Sequence, residues 1–555
     1  MFRPSFLPHQ PSRLRRLGLL TTSALLGVAA LDTYAYDRTL QRNIRTLVAG
    51  AIVTADYKWN FVPGNAENIE KLHERTAERI LDVCKTNGGL YIKFGQQIAA
   101  VPVLPPAYLR FRTLFDDAPA VPYSAVRKII HADFGKEPEE IFASFDEEPI
   151  AAASIAQVHR ATLRDGTPVA VKVQKPEIRR QIGFDLMTYK FLCRALEFFF
   201  DLPLTWQANY IASHLQLETD FINEGRNAEL AAHNLASAPD NLNERVHIPK
   251  VYWDESSKRV LTTEWIEGLR FTSSAEEMMR RGWSPKGVMR TVVEVSADQI
   301  FRSGFVHADP HPGNIIIRPH PSHPASAQIV LLDHGLYVHC TPTFTHDYAL
   351  FWKSIFTGDI TTLTSIASQW GIKDVRMFAS ATIQRPWTPG KAVHVDRSVN
   401  LGDLFERQVR MKETIRGFLD DAELLPKEVI LIGRNLNIIR ANNKYLGSPV
   451  NRINIMAHSA VKSLGPDWSI WSSPTSPPAS PTTLLTPLAA RLNYYTFRLT
   501  LLLSTLAFHL SRAVQKLRYV LTGVAGGGFE DVLDGGVREG LERLGIRVDE
   551  AVFSG

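Results

Sequence analysis

The run His307-Ala308-Asp309-Pro310-His311-Pro312-Gly313-Asn314, with Leu331-Leu332-Asp333-His334-Gly335 downstream, constrains this chain more than any other segment. It sets an Asp and an Asn five residues apart and a second Asp about two dozen residues further on. Pro310, Pro312 and Gly313 forbid a helix through the first motif, so its side chains must converge from a turn. Carboxylate and amide oxygens are hard donors of the kind magnesium takes, with phosphate oxygens completing its shell. His307 and His311 stand at i, i+4, a spacing that brings two side chains together only on a helix, and they read as structural histidines. Asn314 and Asp333 are the candidate metal ligands, and Asp309 is the candidate acceptor of a proton.

Composition narrows the setting. The chain has 555 residues, 45% apolar and 21% charged, with a formal net charge of +5. No Lys/Arg block is dense enough for a nucleic-acid stripe, so nucleic acid is not an expected partner. Cys84, Cys193 and Cys340 are widely separated and lack metal-type spacing. Before Asp32 there is no acidic residue, while Arg3, Arg13, Arg15 and Arg16 stand among Ser, Thr and Leu. That is the composition of a mitochondrial transit peptide. A cleaved secretory signal has the same basic-then-apolar order, but nothing downstream is built for an oxidising compartment. Leu17 to Leu31 is uncharged and mostly apolar, a little short of the roughly 20 residues that span a bilayer, which leaves open whether it is an anchor.

Helical periodicity marks Ala66–Cys84, interrupted by Gly88-Gly89, and a second stretch with Lys93, Gly95 and Gln96. A Pro-bounded helix pair is expected from near Tyr123 to Gly135-Lys136. Arg160–Leu163 and Val169–Val173 flank Asp165-Gly166, a hairpin signal. A long helical region is expected from Arg179 to Ala236, strand character from Val251 to Glu264, and helix from Ala275 to Phe305. After Asp333 the chain reads mostly helical to about Leu464. A Pro/Ser/Thr stretch from Pro466 to Pro487 reads as a linker. Beyond it, Leu499, Leu502, Leu503, Leu506, Leu510, Ala513 and Leu517 form one apolar stripe with Arg512, Lys516 and Arg518 near its end. Such a helix suits a membrane interface or a berth on the preceding domain.

Strands, then helices, then the Asp/Asn motif is the order of a two-lobed protein kinase. There the motif reads His-Arg-Asp, four residues, Asn, then Asp-Phe-Gly; here Ala308 stands for the Arg and His334 for the Phe. Lys172 in Val-Ala-Val-Lys occupies the place of the lysine that contacts the α- and β-phosphates. The small-residue loop Ala151–Ala156, with Ala152, Ala153, Ser154 and Ile155, takes the place of the Gly-rich phosphate loop. Alanine does not easily adopt positive φ, so this loop should be stiffer. Glu224 is the candidate partner of Lys172, with Glu218 and Asp220 one to two turns earlier.

HADPHPGN, Lys93-Phe94-Gly95-Gln96, AAASIAQVH, VAVK, Glu218-x-Asp220 and Asp333 together resemble the UbiB (aarF-domain) family of atypical kinases over roughly residues 60–460. Asp-His-Gly is similar to the mitochondrial branch implicated in lipid homeostasis. The resemblance implies an α+β, two-lobed kinase-like fold with an N-terminal helical extension over the active site. It implies that Lys93 and Gln96 belong to that extension, that Lys93 meets Glu218 and Asp220, and that Lys172 pairs with Glu224. Glu264 to Ile266 would form the adenine hinge. Ala156 replaces the family's usual Gly, and Ala308 agrees with its lack of an activation arginine.

The expected organisation is a targeting segment (1–31), a helical extension (32–135), an N-lobe (136–265), a C-lobe (266–465), a linker (466–490) and C-terminal amphipathic helices (491–555). The expected activity is magnesium-dependent ATP binding with phosphotransfer or hydrolysis at the mitochondrial inner membrane, directed at a lipid or small molecule. The rivals are a Ser/Thr protein kinase and a nucleotide-gated lipid-binding or scaffolding protein without turnover.

Overall fold

The computed structural model describes residues 36–62, 68–99, 105–114, 120–273, 275–384, 426–464 and 486–522, with a few isolated positions besides. The basic N-terminal segment, nearly all of the Leu17–Leu31 run, most of the Pro/Ser/Thr stretch and the tail after 522 lie outside the described residues.

The N-terminal extension is built from α1 (Thr39–Asn60), α2 (Ile69–Asn87) and α3 (Leu90–Ala99), followed by a 3-10 segment at Pro106–Leu114. Gly88 and Gly89 both take positive φ, which is why the helix breaks there. Gly95 is the close-approach point of α3. A Cβ added there would meet Leu114, Phe111 and the Cys84 thiol, so α3 sits directly on the 3-10 segment and α2. Gly95→Val is expected to cost about 1–3 kcal/mol by overpacking, read as a lowered denaturant midpoint with unchanged slope.

The N-lobe sheet comprises β1 (Phe142–Phe145), β2 (Ala151–Ala152), β3 (Ala156–Leu163), β4 (Pro168–Gln174) and β6 (Val260–Glu264). The order β1-β3-β4-β6 is antiparallel throughout, with β2 also paired to β3. β3 begins four residues earlier than its apolar pattern indicates, because Ala156–His159 complete the ladder opposite Val171–Gln174. The segment from Val251 contributes only a bridge to Thr263 before β6. The stretch expected as a helix pair from near Tyr123 to Gly135-Lys136 is a single helix, α4 (Tyr123–Phe134), ended by Gly135 in the left-handed region; one further turn follows at Pro138–Ile141. Val126, Ile129 and Ile130 of α4 share an apolar cluster with Val169, Val171 and Val173, so α4 packs on this sheet.

The region read as one helix from Arg179 to Ala236 is three: α5 (Ile178–Phe200), α6 (Thr205–Glu218) and α7 (Phe221–Ala236). The breaks have local causes. Asp201 takes φ 57° at the end of α5, and Asp220 caps α7 by accepting the Ile222 amide at 3.1 Å. Gly225 lets α7 approach Trp253: a Cβ there would lie 2.6 Å from its ring.

In the C-lobe, β5 (Val246–His247), β7 (Leu269–Arg270), β9 (Ile315–Pro319) and β10 (Ala327–Leu331) form a sheet in the order β5-β10-β9-β7. The helix expected from Ala275 to Phe305 ends sooner. It comprises a short helix at Ala275–Arg280, α8 (Pro285–Asp298) and a π turn to Ser303; Phe305 then opens β8 (Phe305–His307), which pairs with β11 (Tyr337–His339). Gly304, at φ 64°, makes the switch. The remainder is helical: α9 (Pro342–Thr357), α10 (Ile360–Gln369), α11 (Val375–Ile383), α12 (Lys427–Tyr445), α13 (Arg452–Ser463) and α14 (Thr486–Thr522). α14 docks on the C-lobe: Phe497 and Phe508 are buried, and Asn454 donates to the Leu501 carbonyl at 2.9 Å. Its other side leaves Leu499, Leu502, Leu503, Leu506 and Leu510 exposed. The helix thus takes the berth on the preceding domain, with its apolar stripe left facing outward. No helix among the described residues is long and apolar enough to cross a membrane.

Candidate active site

The site lies between the lobes, and each lobe supplies charge from a differently braced element. Lys172 projects from β4, whose alternation buries Val169, Val171 and Val173 on the opposite face. Its Nζ donates to both oxygens of Glu224, at 2.7 and 2.9 Å, and lies 3.7 Å from Asp333 Oδ2. The ring of Phe221 sits 5.2 Å away beneath the cation. Burial disfavours the ammonium, yet Asp333 and Glu224 hold its pKa above the ordinary lysine value. Glu224 stands in the first turn of α7, where burial pushes its carboxyl up against the pull of Lys172.

Asp309 follows β8. Its amide is donated to His307 Nδ1 at 3.1 Å, and its carbonyl accepts from Asn314 Nδ2 at 3.1 Å. That bond closes the turn and leaves the Asn314 amide oxygen as a donor to a metal. Asp333 takes φ 54°, and its Oδ1 accepts the Gly335 amide at 3.2 Å. Burial would raise the Asp333 carboxyl, but Lys172 and Lys93 hold it well below the ordinary range. An amide oxygen and an ionised carboxylate beside a lysine fit magnesium carrying polyphosphate, by the chemistry of the donor set.

His334 is buried. Its Nδ1 pairs with the Tyr337 hydroxyl at 2.8 Å and its Nε2 with the Leu331 carbonyl at 3.1 Å. Burial, then neighbouring His307, lowers its pKa to about 3, so the imidazole is neutral. Its own carbonyl accepts from Asn227 of α7 at 2.9 Å. The helix that carries Glu224 is thereby latched to the turn that carries Asp333.

The extension enters the same space. Lys93 Nζ lies 3.1 Å from Glu218 Oε2. Burial disfavours its charge, but Glu218, Asp309 and Asp333 raise its pKa above the ordinary value. Asp220 is not its partner, because that carboxylate is committed to capping α7. Gln96 donates to the Leu114 carbonyl at 2.9 Å, tying α3 to the 3-10 segment.

The alanine loop is a tight hairpin. The Ala153 amide donates to the Ala156 carbonyl at 2.7 Å, and none of Ala151–Ala156 takes positive φ. Its tip residues Ser154 and Ile155 are buried, and Ile155 belongs to the apolar cluster that holds Leu90, Tyr91 and Phe94 of the extension. Ala152 lies in β2 beside this tip. At the other end of the cleft, the Trp265 amide donates to the Pro168 carbonyl at 3.2 Å, while the amide of Ile266, a buried residue, has no backbone partner among the described residues. An adenine edge would need such a donor.

The Glu264 side chain joins the lobes instead. It lies 2.7 Å from His247 Nε2 and 3.3 Å from Arg318 Nη1. Burial alone would raise its pKa, but the bonds from His247, the Lys250 amide and Arg318 bring it down from 4.5 to about 2. A depressed folded-state pKa stabilises above the unfolded value and is lost as pH falls. The stability gap between wild type and Glu264→Gln is thus expected to be full above 4.5 and to close between 4.5 and about 2, read by thermal midpoints across pH.

Sequence reasoning missed α12. Arg434 Nη2 lies 3.0 Å from Asp309 Oδ2. Asn435 and Asn442 donate to the His307 and Pro310 carbonyls at 2.7 and 3.0 Å. Burial would raise the Asp309 carboxyl, but Arg434, His311 and Lys93 hold it below its ordinary value. The one available signal was Asn435 and Asn442, two turns apart on the face that also carries Leu431 and Ile439.

A lysine–glutamate pair on a two-lobed frame, facing an Asp/Asn turn and a second Asp, defines a kinase-like protein. Residues 113–367 match the family model described as the ABC1 atypical kinase-like domain. The ABC1 family protein C10F6.14c of Schizosaccharomyces pombe is 37% identical over 445 residues, 79% of this chain and 82% of that protein. AarF domain-containing protein kinase 1 of Xenopus tropicalis is 34% identical over 424 residues, 73% of this chain and 78% of that protein. The solved Rv3197–erythromycin complex from Mycobacterium tuberculosis aligns at a TM-score of 0.40 with 22% identity, covering 64% of this chain and 94% of that one. The chain belongs to the ABC1, or UbiB, family of atypical kinases.

Proposed function

We propose that this protein binds ATP with magnesium and transfers or hydrolyses its γ-phosphate, with a lipid or small molecule rather than a protein as acceptor, in mitochondrial lipid homeostasis. Magnesium, once bound, would neutralise charge on the phosphates; Asn314 and Asp333 would hold it. Lys172, kept cationic and oriented by Glu224, would engage the α- and β-phosphates. Asp309 would accept the proton of the attacking hydroxyl or water. The Ile266 amide would meet the adenine edge, and the hairpin Ala152–Ile155 would cover the phosphates.

The observation that carries the choice of acceptor is Lys93. It bonds Glu218 and holds its charge against Asp309 and Asp333, where it would obstruct the approach of a peptide. The N-terminal composition supports the mitochondrial setting. A phosphate-release assay with magnesium, with and without lipid vesicles, tests the reading. Nucleotide binding without release in either condition would sink it. That outcome would favour a second reading, nucleotide-gated binding without turnover, which the Arg434–Asp309 ion pair supports.

A further inference from the structure

A surface helix of a globular domain turns its apolar stripe inward and its polar residues to water. α1 does the reverse. Thr39, Arg42, Asn43 and Thr46 are buried, while Leu40, Ile44, Leu47, Val48 and Ile52 are exposed. α5 shares the feature: Gln181, Asp185 and Thr188 are buried beside Ile178 and Leu186, while Phe184, Met187, Phe191 and Phe198 lie open, Phe198 at 83%.

The two helices meet through the polar residues in their N-terminal halves, and through Gly50 against Leu192 and Tyr57 against Phe200 further along. Arg42 Nη2 bonds Asp185 Oδ2 at 2.7 Å and Arg42 Nη1 donates to the Asn87 carbonyl at 2.5 Å; Asn43 reaches Asp185 Oδ1 at 3.3 Å. Contacts advance in step along the pair, from Asp37 with Arg180, through Arg42 with Asp185, to Lys58 over the ring of Phe200. The helices therefore run parallel. At 3.6 residues per turn, the exposed stripe sits roughly a third of a turn to one side of the contact line on α1 and to the other side on α5. For parallel neighbours those are the same side, facing away from the core.

What covers this face is legible from its rim. No exposed residue of α1 between Gln41 and Lys58 is charged, and the exposed charges within the two helices are all basic: Lys58, Arg179, Arg180, Lys190 and Arg194. Of the flanking caps, Arg38 before α1 is exposed and basic, and Asp201 after α5, at the end far from Arg179, is the one exposed acid. Tyr36 and Trp59 stand exposed at the two ends of α1, as aromatic residues do at a membrane interface. At the N-terminal end a cleft of about 630 Å³ is lined by Lys128, Arg179, Arg180 and Arg259 against one acid, Asp37. Arg180 pairs with Asp37 and Arg259 with Asp133; Lys128 and Arg179 have no acidic partner among the described residues. Arg180 precedes Phe184 by one turn on the same stripe, so the cleft opens at the edge of the apolar face. The apolar run Leu17–Leu31 leads into this same end. A second copy of the chain would set basic rim against basic rim, whereas an anionic bilayer complements both the apolar face and its border.

We propose that the outer face of α1 and α5 lies against a lipid bilayer, with the basic cleft at its edge taking the phosphate of an anionic phospholipid headgroup. The proposal shares a lipid setting with the function above but uses none of the nucleotide-site residues, and its test needs no nucleotide.

The experiment places spin labels at Val48→Cys, Phe191→Cys and, as a control on β1, Ser144→Cys in the full chain, with Cys193→Ser and Cys340→Ser in the background. The protein is bound to phosphatidylcholine vesicles with and without phosphatidylserine. Labels at 48 and 191 gain oxygen accessibility and lose access to a water-soluble nickel chelate, while the label at 144 does not change. Lys128→Gln with Arg179→Gln lowers partitioning to the anionic vesicles about 30-fold, at about 1 kcal/mol per basic residue. Labels at 48 and 191 that stay water-accessible on vesicles overturn the proposed face. So does shielding that grows with protein concentration without lipid, which identifies a second copy. Unchanged partitioning of the double variant overturns the headgroup cleft. Phosphate release from the same samples reports on phosphotransfer separately.

Discussion

Lys172→Met is expected to destabilise the fold by about 3–5 kcal/mol, the range for removing one partner of a buried ion pair, and to abolish nucleotide binding. Glu224 is 4% exposed and would be left with its carboxylate facing Asp333 and Glu218, the other acids that act on it. The double variant Lys172→Met, Glu224→Leu is expected to recover most of that stability while remaining unable to bind nucleotide, because apolar residues of similar volume replace a buried pair at little cost. Denaturant unfolding and binding of a fluorescent ATP analogue separate the two effects. A double variant as unstable as the single one would show that the pair is not what Lys172 contributes to the fold.

The second large effect falls on turnover. Asp309→Asn is expected to reduce phosphate release by about 10²–10⁴-fold, the loss typical of a removed general base, with ATP-analogue affinity retained. Asn keeps the shape and can still accept from Arg434, so the fold around the turn should survive. Release that is unchanged by Asp309→Asn would remove this carboxylate from the chemistry and leave it a structural partner of Arg434.

The catalytic spacing was legible because it is local. Pro310, Pro312 and Gly313 fix the turn whatever surrounds it, and Asp333 is set by a strand and a single left-handed residue. The Lys172–Glu224 pair was legible only through the kinase frame, since nothing local marks one helix glutamate among several. Asp220 illustrates the limit: an acid two residues from Glu218 looked like a second partner for Lys93, and the helix it begins claims it as a cap. Arg434, Asn435 and Asn442 were not legible, because their partners lie on the catalytic turn and the last two bonds span 128 and 132 residues. α1 shows a different limit. Periodicity tells which side of a helix is apolar, and only tertiary contacts tell whether that side faces in.

Three residues, Lys175 to Glu177, separate the end of β4 from the first turn of α5. The strand that carries the phosphate-contacting lysine is thus spliced almost directly to a helix clamped along its length against α1. The Lys175 amide also donates to the Ile155 carbonyl at 2.9 Å, so the same splice grips the alanine hairpin. A restraint on α1 therefore has a short covalent and ionic route, the Arg42–Asp185 pair and the three residues after β4, to both the lysine and the hairpin.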